Sequence, residues 1–263
     1  MHILLSNDDG IHAPGLAALA NSLKQIGKVT IAAPDRERSA TGHAITVYYP
    51  LRVRQVPYAD DITAYAVDGT PADCVRLALE ALIPADDPCT LVVSGINKGV
   101  NLGTDVIYSG TVSAAVEAAV MTLPAIAVSM VDDRQSALPW QSAAQITSQI
   151  VLATVKRKID ADTVLNINIP ALPYHQIKGV QVTRLGMRRY KDGVHKREDP
   201  SGETYYWRAG TAVDIEGQEG TDAQAVSAGY VSLTPIHLDM THYPSLSRLE
   251  SWNIRLDNPV EEG

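Results

Sequence analysis

Short apolar runs alternate with amphipathic stretches along the first two thirds of the chain. Ile3–Ser6 is an apolar run that ends in Asn7-Asp8-Asp9-Gly10. Pro14 opens a predicted helix over Gly15–Ile26 and Gly27 closes it, proline early and glycine late. Val29–Ala33 is the next apolar run, stopped by Pro34. A second helix is predicted from Pro71 to about Ile83, with apolar positions at Val75, Leu77, Ala78, Leu79 and Leu82. Thr90–Val93 reads as a buried strand and Ser94–Gly110 as a Gly/Asn-rich loop. Thr111–Met121 then reads as a small-residue helix, Ala125–Ser129 as a strand, Gln141–Lys156 as a helix and Val164–Ile169 as a strand. This recurrence predicts an α/β fold, a mostly parallel sheet with helices on both faces. The strands are nearly continuous apolar runs, as expected when both faces are covered.

Two segments break the rhythm. Thr46–Val67 carries two alternating strands, Leu51–Val56 and Thr63–Val67, and predicts a hairpin or an edge insertion. Arg184–Gly220 is rich in Gly, Arg, Lys, Asp and Glu around Tyr205-Tyr206-Trp207, and predicts a long excursion with a hairpin. A strand over Tyr230–Leu233, a polar stretch and a terminal helix near Leu246–Asn253 follow, and Asp257–Gly263 is expected to fray.

Composition narrows the function classes. The 263 residues are 45% hydrophobic and 20% charged, an ordinary globular balance. With 22 Lys+Arg against 30 Asp+Glu the net charge is −8, so a nucleic-acid polymer is not an expected partner. Cys74 and Cys89 are too few for a disulfide framework or a cysteine zinc site. No leader-like segment opens the sequence and no run of about 18 apolar residues occurs, so the expectation is a cytoplasmic protein with no membrane span.

In open α/β sheets ligands bind outside the carboxyl ends of the strands. Three loops there carry candidate chemistry. In Ser6-Asn7-Asp8-Asp9-Gly10, the adjacent acids repel each other unless ionisation is suppressed or a cation lies between them. The same residues also suit a solvated turn with an aspartate capping the next helix. The second loop, 34–43, offers the Ser39 hydroxyl, with Arg36 and Arg38 free to reach a phosphate or to pair with Glu37. In the third, glycines 95, 99, 103 and 110 permit close backbone approach, and Asn97 and Asn101 supply amide oxygens. Its Ser109-Gly110-Thr111 end precedes a helix, whose first N–H groups form an anion site. Together the loops predict a hard-metal site of Asp8, Asp9, Ser39 and Asn97, taking one Mg²⁺ or Mn²⁺ rather than Zn²⁺.

The stretches SNDDG at 6–10, PDRERSATG at 34–42 and SGINKGVNLGTDVIYSGTVSAA at 94–115 closely resemble the SurE (survival protein E) family. The likeness continues in DGTPADCV at 68–75, LNINIP at 165–170, VTRLG at 182–186 and YVSLTPIHLDMT at 230–241. The resemblance implies a Rossmann-like core and a metal-dependent phosphatase of nucleoside 5′- and 3′-monophosphates, in some members also of short polyphosphate. The family's metal ligands match Asp8, Asp9, Ser39 and Asn97. The family exchanges a C-terminal hairpin and terminal helix between subunits to make homodimers, often homotetramers. Residues 1–183 are then the catalytic core. Residues 184–263 carry the excursion, a returning strand with site residues and the oligomerisation helix, without forming an independent domain.

The family carries an acid near its C-terminus followed by His or Tyr. Asp239 matches the acid, Tyr243 stands four residues on, and His242 sits one place early. Asp239, His242 or His237 is the expected general acid for the leaving oxygen. Asp8 or Asp9 is expected to assist attack by water. Asn101 and the amides of Ser109, Gly110 and Thr111 are expected to hold the phosphoryl oxygens, with Tyr108 stacking on the base. Two rivals are a phosphatase with an aspartyl-phosphate intermediate, which requires Asp-x-Asp rather than adjacent acids, and a mononucleotide sensor without turnover.

Overall fold

The computed structural model describes every residue except 60, 133–138, 158, 161, 209, 215–218 and 256–263. The fraying expected of 257–263 therefore lies outside the described residues. The chain opens with β1 (His2–Ser6), α1 (Pro14–Leu23) and β2 (Lys28–Pro34). Proline stands at the start of α1 as the sequence predicts, but the helix ends at Leu23 rather than Ile26. Its last turn tightens there, with the amides of both Ile26 and Gly27 turned back to the Leu23 carbonyl. Next come β3 (Val53–Val56), β4 (Thr63–Val67) and α2 (Pro71–Leu77), which runs on into a π-helical turn over Ala78–Leu82. β5 spans Leu91–Lys98, α3 Gly110–Val120, β6 Ala125–Met130, α4 Trp140–Arg157 and β7 Thr163–Ile169. The rest comprises β8 (Val180–Val182), β9 (Arg188–Lys191), β10 (Val194–Glu198), β11 (Thr204–Arg208), β12 (Thr211–Asp214), α5 (Asp222–Ser227), β13 (Val231–His237) and α6 (Leu246–Glu250).

One sheet of nine strands, in the order β3-β4-β2-β1-β5-β6-β7-β13-β8, organises the molecule. β4, β2, β1, β5, β6 and β7 run parallel, while β3 and β13 are antiparallel to their neighbours β4 and β7. Alternate strand residues feed two cores. Ile3, Leu5, Ile31, Val93 and Ile126 pack with Leu16, Leu19 and Leu23 of α1 and Ile150 of α4. Leu4, Ala32, Val92 and Ala127 pack on the other face with Cys74 and Val75 of α2 and Ala114, Ala115 and Ala118 of α3. The α/β class with both faces covered is thus as the sequence predicts.

Four expectations change. The run predicted as Thr90–Val93 continues as strand to Lys98, with a register break between Ser94 and Asn97 that places Asn97 beside Ser129 of β6. α5 follows the excursion, between Gly220 and β13, where no helix was predicted. β13 is longer than Tyr230–Leu233, because Pro235 and His237 still pair with β7. The terminal helix is one short turn, Leu246–Glu250, rather than Leu246–Asn253. The predicted hairpin in Arg184–Gly220 is β10–β11, with β9 and β12 as a second antiparallel pair at its base. No described helix is long and apolar enough to cross a membrane.

β2 and β5 flank β1 on opposite sides, so chain direction reverses at β1. The loops leaving β1 and β5 therefore splay apart and open a crevice at the carboxyl edge. Leu19 of α1 is fully buried against this sheet. Leu19→Ala should cost about 3 kcal/mol of stability, read as a lower urea midpoint with an unchanged slope.

Candidate metal and phosphate site

The turn after β1 is built by Asn7, whose buried carboxamide accepts from the Gly10 amide (3.2 Å) and donates to the Gly10 carbonyl (3.0 Å). This closed turn points the next two side chains out of the strand end. Asp8 is 4% exposed, and its carboxylate accepts a short hydrogen bond from the Thr111 hydroxyl in the first turn of α3. Asp9 is half-buried and accepts from the Lys98 amide at 3.0 Å.

The second and third loops are pinned to the same turn. The Arg38 amide donates to the Asp8 carbonyl at 2.7 Å, which sets Ser39 beside the acid pair. The Lys98 contact does the same for its neighbour Asn97, whose amide nitrogen is turned to the Gly99 carbonyl at 2.7 Å, leaving Oδ1 as an acceptor. The Ser39 hydroxyl donates to Glu37 at 2.7 Å. The structure thus draws the segments bearing Asp8, Asp9, Ser39 and Asn97 to one place, the crevice beside β1 and β5.

Electrostatics there is unfavourable without a cation. Burial raises the Asp8 carboxyl above the usual carboxylate range, against the Thr111 hydrogen bond that stabilises its charged form. Burial, together with the charges of Asp8 and Glu37, pushes Asp9 up to about 6 despite the Lys98 amide. Two carboxylates, a hydroxyl and a carboxamide oxygen are a hard-oxygen donor set, suited to Mg²⁺ or Mn²⁺. Among the described residues no three His, Cys, Asp or Glu side chains form an alternative metal cluster.

α3 supplies the anion-facing end. Ser109 is its N-cap, accepting from the Val112 amide at 3.0 Å. Gly110 is glycine because of Asp8: a Cβ there would lie 2.8 Å from the Asp8 Cβ. Thr111 commits its hydroxyl to Asp8, a role the sequence reading did not give it. Asn101, read as a phosphate ligand, is enclosed at 8% exposure. Its amide nitrogen donates to Ser129, its backbone amide to Asn168, and its carbonyl accepts from Asn166 and Asn168. It fastens the loop across β6 and β7. Tyr108 stands exposed at the mouth, with its carbonyl holding the Gly42 amide at 3.1 Å.

The general-acid candidates lie on β13 and on the segment that follows it. Because β13 is antiparallel to β7, His237 pairs with Thr163 at the start of β7, and His237 and Asp239 line one cavity with His43, Thr104 and Ser113. Asp239 accepts from the Thr241 amide (2.8 Å) and the Tyr243 hydroxyl, and these bonds hold its carboxyl down to about 2. His242 bonds Ser245 at 2.6 Å on the exposed C-terminal segment. Arg38 turns to the Asp68 carbonyl (2.8 Å), and Arg36 lies beside Asp35 rather than Glu37.

Sequence reading missed Glu117. It is 3% exposed on α3 and bonds both Arg76 (2.6 Å) and His43 (2.8 Å), tying the Ser39 loop to α3. A single acid inside the small-residue run Gly110–Val120 was the available signal.

The family model that matches residues 3–192 is that of Survival protein SurE. A curated relative named 5′-nucleotidase SurE, from Alkaliphilus metalliredigens, is 48% identical over 255 residues, covering 97% of this chain and 99% of its own. Another of the same name, from Carboxydothermus hydrogenoformans, is 47% identical and covers 100% of both chains. Among solved structures, the SurE protein from Aquifex aeolicus superposes with a TM-score of 0.84 at 42% identity, covering 97% of this chain and 100% of that one.

Two outcomes follow. An aspartate with a raised pKa costs stability as it ionises, so with EDTA present stability should fall as pH rises from about 4 to about 6. Asp9→Asn should flatten that fall and leave the variant more stable than wild type at pH 8, read by thermal unfolding. Gly110→Ala should shift α3 away from Asp8 and weaken binding of Mn²⁺ at least tenfold by calorimetry.

Proposed function

The chain belongs to the SurE family, and on that premise we propose that it is a metal-dependent phosphomonoesterase that releases phosphate from nucleoside 5′-monophosphates. The observation that carries this reading is the meeting of Asp8, Asp9 and the N-terminus of α3 through the Thr111 hydroxyl. One buried point thereby offers negative charge for a cation and helix-end amides for an anion.

In this reading Asp8, Asp9, Ser39 and Asn97 hold one Mg²⁺ or Mn²⁺. A divalent cation bound there supplies Lewis-acid chemistry to a phosphate ester. Asp8 is oriented by Thr111 and kept from rotating by the approach of Gly110. Asp9 is the acceptor for the proton of the attacking water. The first-turn amides of α3 and the Ser109 cap orient the phosphoryl oxygens. These contacts read the phosphate end of the substrate. The reading therefore extends to nucleoside 3′-monophosphates and short polyphosphate.

The reading also includes a homodimer or homotetramer formed by exchange of C-terminal segments. Trp252 (59% exposed) and Ile254 (74%) stand out from the C-terminal segment, a surface suited to a second copy of this chain. A cytoplasmic location completes it, to which the free, buried Cys74 and Cys89 conform.

Phosphate release from 5′- and 3′-mononucleotides should require Mg²⁺ or Mn²⁺, stop with EDTA, and fall about a thousandfold in Asp8→Asn and in Asp9→Asn. Near-normal turnover in both variants would sink the site assignment. A phosphoaspartate trapped on Asp8 would favour the covalent rival.

A further inference from the structure

We propose that His43, oriented by the buried carboxylate of Glu117, is the proton donor to the leaving oxygen, an assignment that deepens the nucleotidase reading and rests on it. The Gly42 amide bonds the carbonyl of Tyr108 (3.1 Å), which brings His43 beside the residue that precedes the cap of α3. Its Nε2 lies 2.8 Å from Glu117 Oε2. That carboxylate only accepts, and Arg76 fixes its other oxygen at 2.6 Å, so Nε2 carries the proton of this bond. Among the described residues the Nδ1 has no partner. A carboxylate on one ring nitrogen and an open second nitrogen is the arrangement that orients an imidazole for proton transfer.

The ring stands close to the phosphate-facing end of α3. A helical side chain leans toward the helix N-terminus, so Glu117 sets the imidazole over the preceding turn, where Ser113 lies. His43 and Ser113 line one cavity of about 520 Å³ with Thr104, His237 and Asp239. Ser113 is one turn from Gly110 and Thr111, and the Thr111 hydroxyl meets Asp8. The cavity thus starts one turn from the acid pair, with room for a leaving alcohol the size of a nucleoside. The other charged groups around it are differently engaged. His237 Nδ1 accepts from the Asp239 amide (3.1 Å), and Asp239 is held by Thr241 and Tyr243. On α2, Arg76 is shared with Glu80 (3.2 Å), and Asp73 is spent on Thr46 and Thr70. Among these groups, His43 combines a buried carboxylate behind it with a free nitrogen ahead of it. In the step, Asp9 takes a proton from the attacking water as the water oxygen bonds phosphorus. The ester P–O bond breaks, its electron pair stays on the ribose oxygen, and the Nδ1–H of the His43 imidazolium protonates that oxygen. Solvent then returns the Asp9 proton to His43. Glu117 is the positioning residue.

The test compares adenosine 5′-monophosphate with p-nitrophenyl phosphate, whose leaving group departs without needing a proton. The variant is His43→Gln, whose carboxamide can still donate to Glu117 and keep the loop tied to α3. It should lower kcat for the nucleotide about a hundredfold and change that for p-nitrophenyl phosphate by less than about threefold. In wild type, kcat for the nucleotide should fall at alkaline pH as His43 loses its proton, and His43→Gln should abolish that fall. Glu117→Gln should move the fall to lower pH, because the carboxylate favours the imidazolium. The alkaline fall, read on the nucleotide alone, decides independently of the second substrate. An equal loss on both substrates, an unchanged kcat for the nucleotide, or an alkaline fall kept in His43→Gln overturns the donor and leaves His43 as a loop tie. Phosphate release from neither substrate with either metal overturns the nucleotidase reading instead.

Discussion

Two neighbouring carboxylates buried at the end of the central strand set the terms for the rest of this molecule. Asp8 and Asp9 cannot both be charged in so dry a place without compensation, and burial drives both upward. Each nearby element contributes part of that compensation. α3 contributes its positive end and the Thr111 hydroxyl, β5 the Lys98 amide, and the Ser39 loop a backbone bond from Arg38. What remains uncompensated is what a cation would neutralise. The site is thus arranged around a deficit of positive charge that the polypeptide itself leaves open.

Precision at that point comes from polar groups placed inside the fold rather than from the loops themselves. Asn101 is bonded to Ser129, Asn166 and Asn168 on the ends of β6 and β7, so the long third loop is anchored midway. Glu117 joins α2, α3 and the Ser39 loop through Arg76 and His43. Neither residue faces the crevice, yet both anchor the loops that carry Asn97 and Ser39. Cutting Glu117 would leave a half-exposed histidine and an arginine without their acid, and the Ser39 loop with one attachment fewer.

The sequence made the alternation of strands and helices legible because hydrophobic periodicity reports burial, and the parallel strands are buried on both faces. The acid pair was legible because adjacent charges at a strand end need an explanation. Other features were hidden for definite reasons. The run of β5 beyond Val93 was hidden because Ser94, Gly95 and Asn97 carry no strand signature, and pairing with β6, and of Ser94 with β1, holds the segment extended. The direction of β13 is not written in its own residues; it follows from the excursion returning the chain to the far side of β7. Side-chain commitments such as Thr111 to Asp8 depend on approaches across 103 residues of sequence and leave no local trace.

The position of β1 has a consequence for how the molecule comes into being. Residues 2–6 lie between β2 and β5, so a ribosome-bound chain can pair one edge of β1 early but must wait for residues 91–98 before the other is covered. Until then this apolar strand presents an open edge, with Asn7, Asp8 and Asp9 at its tip still in water. The charge that makes the finished crevice costly therefore helps keep the growing chain soluble, and its burial is deferred to the step that closes the sheet.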